Sequence, residues 1–479
     1  MQTTLTTRKV PELLAPAGNR EQLDAALRYG ADAVYLGGSS LNLRAGSRGF
    51  DGEALSQAVT DAHAVGAKVY YCLNVLPQQR HMAAIEACLE ALPERGIDGL
   101  IVADPGVIWL TRRYCPDIPL HLSTQANTAN ASAVAFWKEL GFSRVNLARE
   151  LDCRSIAQMV RQSPEMEFEA FVHGAQCLAL SGRCLLSAWL NGRSANLGRC
   201  THPCRFEYQA EPFQSQAESS QSTEIPEYSD VNPHINAEGY PPSQETFAYA
   251  AERMPKLADG LPSLAVHEQT RPNQTTWEVT QDSDGFTEGY STFWAPQDLA
   301  LVRFMNWYAK LGIAAVKVEG RVKTGSYVAQ VVDVYRTALN DAAIFAHRNK
   351  EYINELLHTA SRPLSTGFFL PSQKRHTWPQ PQLSENATPH IVALINGKAE
   401  GPLPSLGGNS AYDITVKSPW DASMPATLLA TGMRRPVMMP GHYQLENHRG
   451  QKVDRLHPGM RGILHCDMDG LEKGLYIRA

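Results

Sequence analysis

Cys177, Cys184, Cys200 and Cys204 fall within 28 residues as C-x6-C-x15-C-x3-C, a local density of thiols that the other five cysteines do not share. Deprotonated, four sulfurs from one segment could hold a [4Fe–4S] cluster, whose irons take soft anionic ligands, or a tetrahedral zinc ion. The C-x2-C knuckles usual for zinc are absent, and ordinary thiols are the third reading. A disulfide framework belongs to secreted chains, and residues 1 to 9, MQTTLTTRK, do not resemble a signal peptide. Cys72, Cys88, Cys115, Cys153 and Cys466 are scattered and read as small apolar side chains. Arg183, Arg193, Arg199 and Arg205 interleave with the clustered four. They could offset thiolate charge, hold an anion or contact phosphate, or simply form a solvated surface.

Two strand-like segments carry further chemistry. In LHLSTQA, period-2 alternation puts His121, Ser123 and Gln125 on one face, and an inward polar row is costly unless it meets water, a ligand or partners. In VKVEGR, Lys317, Glu319 and Arg321 share a face opposite Val316 and Val318. Two cations around a carboxylate could bind an anionic small molecule, with Glu319 orienting a base, or could close on themselves as a salt-bridged barrel layer. Asn127 follows LHLSTQA directly, and Arg149 and His173 stand at the ends of two other strands. His173 is read either as a ligand or catalytic group or as a hydrogen-bonding support for the cysteine loop.

The elements that must position these residues repeat one pattern: a short apolar strand, a polar or Gly-containing turn, then a helix with an apolar face. Strands are expected at 12–18, 33–38, 68–74, 99–105, 120–126, 144–150 and 167–174, with helices at 19–29, 53–65, 81–95, 106–114, 128–140 and 153–160. Asn19 with Gln22 reads as a helix cap, and Asp51 as a weaker one. The eighth strand is AAVKVEGR at 314–321, preceded by a helix at 297–310 whose buried face includes Leu299, Val302 and Trp307, and followed by a helix at 323–346. The fold expected is therefore α/β, a TIM-like (βα)8 barrel with a large insertion between strands 7 and 8, in which loops after the strands share one face. Residues 1–174 supply strands 1–7, 175–296 the cysteine-bearing insertion and an acidic loop, and 297–360 the barrel closure. A hairpin at 277–294 would turn at Asp284 and Gly285. Short strands at 390–397, 412–418, 426–431 and 473–479 predict a small C-terminal β-barrel-like domain over 385–479.

Composition sets outer bounds. At 479 residues the chain exceeds one ordinary core and suits a barrel plus a further domain. A net charge of −5 argues against a large nonspecific nucleic-acid surface. Acidic residues nevertheless dominate 211–300, and the remaining scaffold carries a basic surplus that need not repel RNA. No run approaches 18 apolar residues, so membrane insertion is not expected and the cytoplasm is the default compartment.

ELLAPAG, YGADAVYLGG, VKVEGR and above all EFEAFVHGAQCLALSGRCLLSAWLNGRSANLGRCTHPCRFEY resemble the collagenase-like family named for peptidases of unknown catalytic type, over about residues 12–360. Many members take a cluster ligand from a Cys in an N-S-K-D-L-C-like segment. Here that stretch is APQDLAL, with Ala300 at the Cys position, and Cys200-Thr-His-Pro-Cys204 supplies a close pair instead. That pattern, with LHLSTQANTANASAVAFWKELGFSRVNLARELD, is similar to the branch of bacterial tRNA uridine hydroxylases and to a ubiquinone ring-hydroxylating branch. The resemblance to the tRNA branch implies oxygen-independent, prephenate-dependent formation of 5-hydroxyuridine at the wobble position. It also implies Cys177, Cys184, Cys200 and Cys204 as [4Fe–4S] ligands. On this reading the partners are the tRNA anticodon region, prephenate, and electron-donor or cluster-assembly proteins. His173, Glu319 and Gln125 become candidate catalytic groups, with Arg149, Lys317, Arg321, Asn127 and His121 against the substrates. Ubiquinone-pathway ring hydroxylation, a collagenase-like peptidase and a nonenzymatic RNA-binding protein are the alternatives. Neither an HExxH metalloprotease motif nor a GxSxG elbow is present.

Overall fold

The computed structural model describes residues 9–44, 47–206, 208–212, 263–268, 276–280, 290–291, 296–371, 374–378, 390–399, 410–468 and 470–479. Eight parallel strands close a barrel: Glu12–Pro16, Ala33–Leu36, Lys68–Leu73, Gly99–Val102, Leu120–Leu122, Arg144–Asn146, Glu167–Gly174 and Ala315–Val318. The eighth pairs with both the first and the seventh, placing Leu13 opposite Val316 and Val316 opposite Ala170. LHLSTQA is extended only over Leu120–Leu122, and Thr124–Ala126 turns as a 3-10 helix that takes Gln125 out of the expected alternation with His121 and Ser123; the other strands expected from the apolar runs are present. They are buried on both faces because helices cover the outside and side chains fill the inside.

Local chemistry explains the joints. The Asn19 side chain accepts from the Gln22 N–H at 3.0 Å and starts the Arg20–Arg28 helix. Gln22 does not complete a reciprocal box: its Oε1 accepts from the Gly18 N–H at 2.6 Å, and its Nε2 donates to the Lys323 carbonyl. The start of the first helix is thereby tied to the turn after the last strand. Gly18 admits no side chain there, since a Cβ would lie 1.9 Å from the Arg321 carbonyl oxygen.

Three further expectations need correction. Residues 297–310 are not one helix: Asp298–Ala300 is a strand and the helix proper is Met305–Leu311. The seventh strand extends beyond Glu169, where pairing with the sixth ends, and its unpaired edge takes up Asp298–Ala300 antiparallel, Leu299 opposite Gly174. Backbone hydrogen bonding outweighed helical periodicity. Asp51 does not cap the Glu53–Ala64 helix by its side chain, which instead accepts from the Ser39 N–H. Finally, Thr276–Thr280 pairs with Ser263–Glu268, and Tyr290–Ser291 with Tyr208–Pro212, so the segments expected as a hairpin lie at opposite edges of one four-stranded sheet. Its expected turn lies outside the described residues, as does most of the expected acidic loop. That sheet belongs to a compact unit, His202–Ala295, while residues up to Thr201 and from Pro296 onward form the other.

Beyond the barrel, an eight-stranded antiparallel half-barrel contains the four C-terminal strands expected from the sequence, together with Tyr443–Asn447, Arg461–Cys466 and two short edge pieces. Buried charge joins it to the barrel's outer helices. Asp333, on the Gly325–Ala343 helix, accepts from the Gly432 and Met433 N–H groups at 2.6 and 3.1 Å and from Arg435 at 2.8 Å. Glu355 accepts from Arg435 at 2.9 Å and Arg478 at 3.0 Å. Burial pushes the Asp333 carboxyl up against the pull of Arg435. At Glu355 burial also acts upward, but Arg435 and Arg478 outweigh it and hold the carboxyl down. Removing Arg435 would leave two buried carboxylates short of a partner, so Arg435→Ala should cost about 3–5 kcal/mol in urea unfolding. Arg434→Ala at the exposed neighbour should stay within about 0.5 kcal/mol; equal effects would contradict the clamp.

Candidate active site

At the C-terminal mouth of the barrel, the eighth strand delivers Glu319 into a ring of guanidinium groups. Arg44, from the loop after the second strand, donates from Nε and Nη2 to Glu319 Oε1 at 3.1 and 3.0 Å. Arg149, after the sixth strand, donates to Oε2 at 3.4 Å and lies 3.8 Å from the Phe171 ring centroid. Arg321 is the third, 5.7 Å from the centre of the Tyr35 ring. Burial alone would raise the Glu319 carboxyl, but Arg44, Arg149 and Arg321 together outweigh it and bring it down to about 2. A carboxylate held so firmly ionised is a poor proton acceptor near neutrality. Its suited work is to orient arginines.

Three guanidiniums against one carboxylate leave two positive charges over. Nε and Nη1 of Arg321 and Nε of Arg149 are buried without a hydrogen-bond partner. Buried, unsatisfied cationic N–H groups are costly, and a carboxylate or phosphate is the ligand that satisfies them. After the third and fifth strands, Asn74 Oδ1, Gln125 Oε1, Asn127 Nδ2 and Thr128 Oγ1 also lack partners. Asn127 is held in the left-handed region at φ 55°, ending the Thr124–Ala126 turn. Both donors and acceptors are therefore left without partners at the strand ends.

The other residues singled out in the sequence lie elsewhere. Lys317 donates to Glu169 at 2.7 Å and sits 4.3 Å from the Tyr35 ring centroid. Arg144 bonds Glu12 at 2.8 Å in the same interior, so a salt-bridged layer exists inside the barrel, and Lys317 belongs to it. His121 stacks edge-on to Tyr70, 4.6 Å between ring centroids. Burial first, then Arg144 and Lys317, drive its pKa far down. His173 contacts Tyr327 and Tyr335 on the outer Gly325–Ala343 helix, and burial, then Lys323, lower it to about 3. As a neutral, weakly basic imidazole it is matched to packing rather than to proton transfer. Arg44 escaped the sequence reading. It stands in a loop rather than at a strand end, and its only signal is membership of a long βα loop on the functional face.

The cysteine segment packs over this mouth. Arg183 Nε donates to the Gln125 carbonyl at 2.7 Å, Ser181 Oγ to Glu150 at 2.7 Å, and the Leu76 N–H to the Asn196 carbonyl at 3.0 Å. The Cys177 thiol is exposed, yet atoms packed around it desolvate it and push its pKa up. The Ala179 N–H and Arg149 oppose that rise, and the charges of Cys184 and Cys200 add to it. Cys200 in turn acts on Arg44. Three of the four thiols thus lie within electrostatic reach of one another or of the arginine ring. Cys204 belongs to the His202–Ala295 unit. None of the nine cysteines, all described, is in a disulfide. Among the described residues, no three His, Cys, Asp or Glu side chains are gathered as ready metal ligands, and no helix is long and apolar enough to cross a membrane.

A closed parallel barrel with a charged mouth, overlaid by a cysteine segment, defines the class of protein. Residues 18–378 match the model of peptidase family U32, and the chain belongs to that family. It is similar to tRNA hydroxylation protein P of Escherichia coli, 33% identical over 413 residues covering 84% of each chain. The protein of the same name from Haemophilus influenzae is 35% identical over 78% of this chain and 76% of its own. That of Helicobacter pylori is 33% identical over 75% of this chain and 71% of its own.

Opposite stability effects are expected within the ring. Glu319→Gln strips Arg44 and Arg149 of their partner and should cost about 3–5 kcal/mol near neutrality. Arg321→Met removes an unsatisfied buried charge and should leave unfolding stability unchanged or higher. Because the folded carboxyl is lowered from 4.5 to about 2, its stabilisation is complete above the ordinary value and disappears as pH falls through the folded one. The gap between the native protein and Glu319→Gln should therefore be flat from about pH 5 to 8 and close by about pH 2. A gap that grows on acidification would contradict the assignment.

Proposed function

We propose that this chain is a tRNA-modifying enzyme that converts the wobble uridine to 5-hydroxyuridine, without oxygen and with prephenate as co-substrate. The observation that carries the reading is the pair of surplus positive charges at the mouth, with Arg321 and Arg149 N–H groups unsatisfied. A dicarboxylate such as prephenate matches both the charge and the donors. The relatives named for tRNA hydroxylation supply the polymer substrate.

Each residue then has a role set by its surroundings. Arg321 and Arg149 bind carboxylate. Glu319 holds Arg149 and Arg44 in position. Gln125 and Asn127, with spare amide groups after the fifth strand, hydrogen-bond the base edge. Flipping the uridine into the mouth costs a few kcal/mol of unstacking and exposes C5, the carbon that bears the hydroxyl in the product. Lys317 supports the site from below through Glu169, and His121 and His173 keep the wall packed around it.

Four thiols outside any disulfide are the soft donors that an iron–sulfur cluster takes, and three of them act electrostatically on one another or on the arginine ring. Cys177, Cys184, Cys200 and Cys204 would hold a [4Fe–4S] cluster, which would supply electron transfer. The partners that go with the reading are electron-donor or cluster-assembly proteins, and the compartment is the cytoplasm, where tRNA is.

The test is nucleoside analysis of tRNA from cells with and without the gene, followed by reconstitution of the anaerobically purified protein with and without prephenate. Loss of 5-hydroxyuridine derivatives without the gene, and prephenate-dependent product in vitro, are expected. Product formed equally without prephenate, or on a quinone precursor and never on tRNA, would overturn the proposal. Cys177→Ala and Cys200→Ala should each lose bound iron and labile sulfide; full loading in both would remove the cluster from it.

A further inference from the structure

The cysteine segment has a surface that the site chemistry leaves unused. Trp189 is 79% exposed and Leu185 74%, with Leu180 at 61% and Leu178 at 53%. They do not hang on slack chain. Ser187 Oγ donates to the Arg193 carbonyl at 2.6 Å and accepts from the Thr201 N–H at 3.0 Å, while Asn191 Nδ2 donates to Thr201 at 2.8 Å. Asn196 fixes the knot to the loop after the third strand. A large indole held in water on a braced turn stands out from scattered surface apolar groups.

Its electrostatic setting points to a class of partner. From Ala175 to Phe206 the chain contains no Asp or Glu, and Arg183, Arg193 and Arg199 are exposed along it. Exposed aromatic and guanidinium groups without carboxylates form a platform for single-stranded nucleic acid, where bases stack on the ring and phosphates meet the cations. Arg183 also joins the platform to the mouth, since its Nε donates to the Gln125 carbonyl.

We propose that Trp189 is a stacking platform for an unpaired RNA base next to the one that enters the barrel, with Arg193 and Arg199 holding the adjoining phosphates. The inference rests on the tRNA reading above and identifies how the polymer is positioned. A base leaving its stack exposes the face of its neighbour, and an indole beside the mouth replaces the lost contact. A small substrate reaching the mouth alone would need no such surface.

The experiment uses the full-length protein, purified without oxygen, and a labelled anticodon stem-loop RNA. Trp189→Ala should weaken RNA binding roughly 5- to 150-fold, the range measured for loss of one stacked base. Trp189→Phe should recover most of it. Arg193→Ala and Arg199→Ala should each flatten the salt dependence of binding by about 0.7 in log–log slope. In turnover, Trp189→Ala should raise KM for RNA and leave KM for prephenate unchanged. Native affinity and salt slope in these variants would overturn the platform, as would a defect confined to reduction by an acidic electron-transfer protein. If Trp189→Ala melts early, Trp189→Phe and the two arginine variants decide. RNA binding through Trp189 without hydroxylation would sink the proposed function and spare the platform; hydroxylation with an indifferent Trp189 would do the reverse.

Discussion

The buried carboxylate of Glu319 among three arginines is the interaction on which the rest of the mouth depends. Each guanidinium arrives from a different part of the chain: Arg44 after the second strand, Arg149 after the sixth, Arg321 after the eighth. Without the carboxylate the cations would repel one another in a medium that screens them poorly. With it, two are oriented and N–H groups of Arg321 and Arg149 stay unspent. The ring is held together by one carboxylate and still keeps buried donors unsatisfied.

Close backbone approaches keep it in register. Gly18 lets the first strand's turn lie against the Arg321 carbonyl, and Gly174, at φ 102°, lets the seventh strand end against Glu319, where a Cβ would come within 2.8 Å of backbone. The two glycines flank the eighth strand on both sides, so the barrel's closing seam and the charged mouth are one construction. The prolonged seventh strand adds the Asp298–Ala300 strand on its free edge and places Ala300, buried, opposite His173.

Charge is used in three distinct ways in this molecule. Lys317 with Glu169, and Arg144 with Glu12, are spent inside the barrel. Asp333, Glu355, Arg435 and Arg478 are spent joining the half-barrel to the outer helices. At the mouth, cationic hydrogen-bonding capacity of Arg321 and Arg149 is left over together with donors and acceptors of neutral side chains. There it is burial without satisfaction, rather than charge itself, that leaves donors for a ligand.

By itself the sequence determined the barrel, because each strand is a short apolar run set off by turn residues and the helices between them carry apolar faces. It also determined the half-barrel's main strands, the clustered cysteines, and the shared face of Lys317, Glu319 and Arg321, since alternation is a local property of an extended chain. Only the tertiary structure decided that neighbours on that face part company, Lys317 to Glu169 and Glu319 to Arg44 and Arg149. It alone turned His173 toward Tyr335 and made a strand of Asp298–Ala300. Each of those outcomes depends on a partner distant in sequence, on an unpaired strand edge or on desolvation, and none of these is encoded in the spacing of adjacent residues.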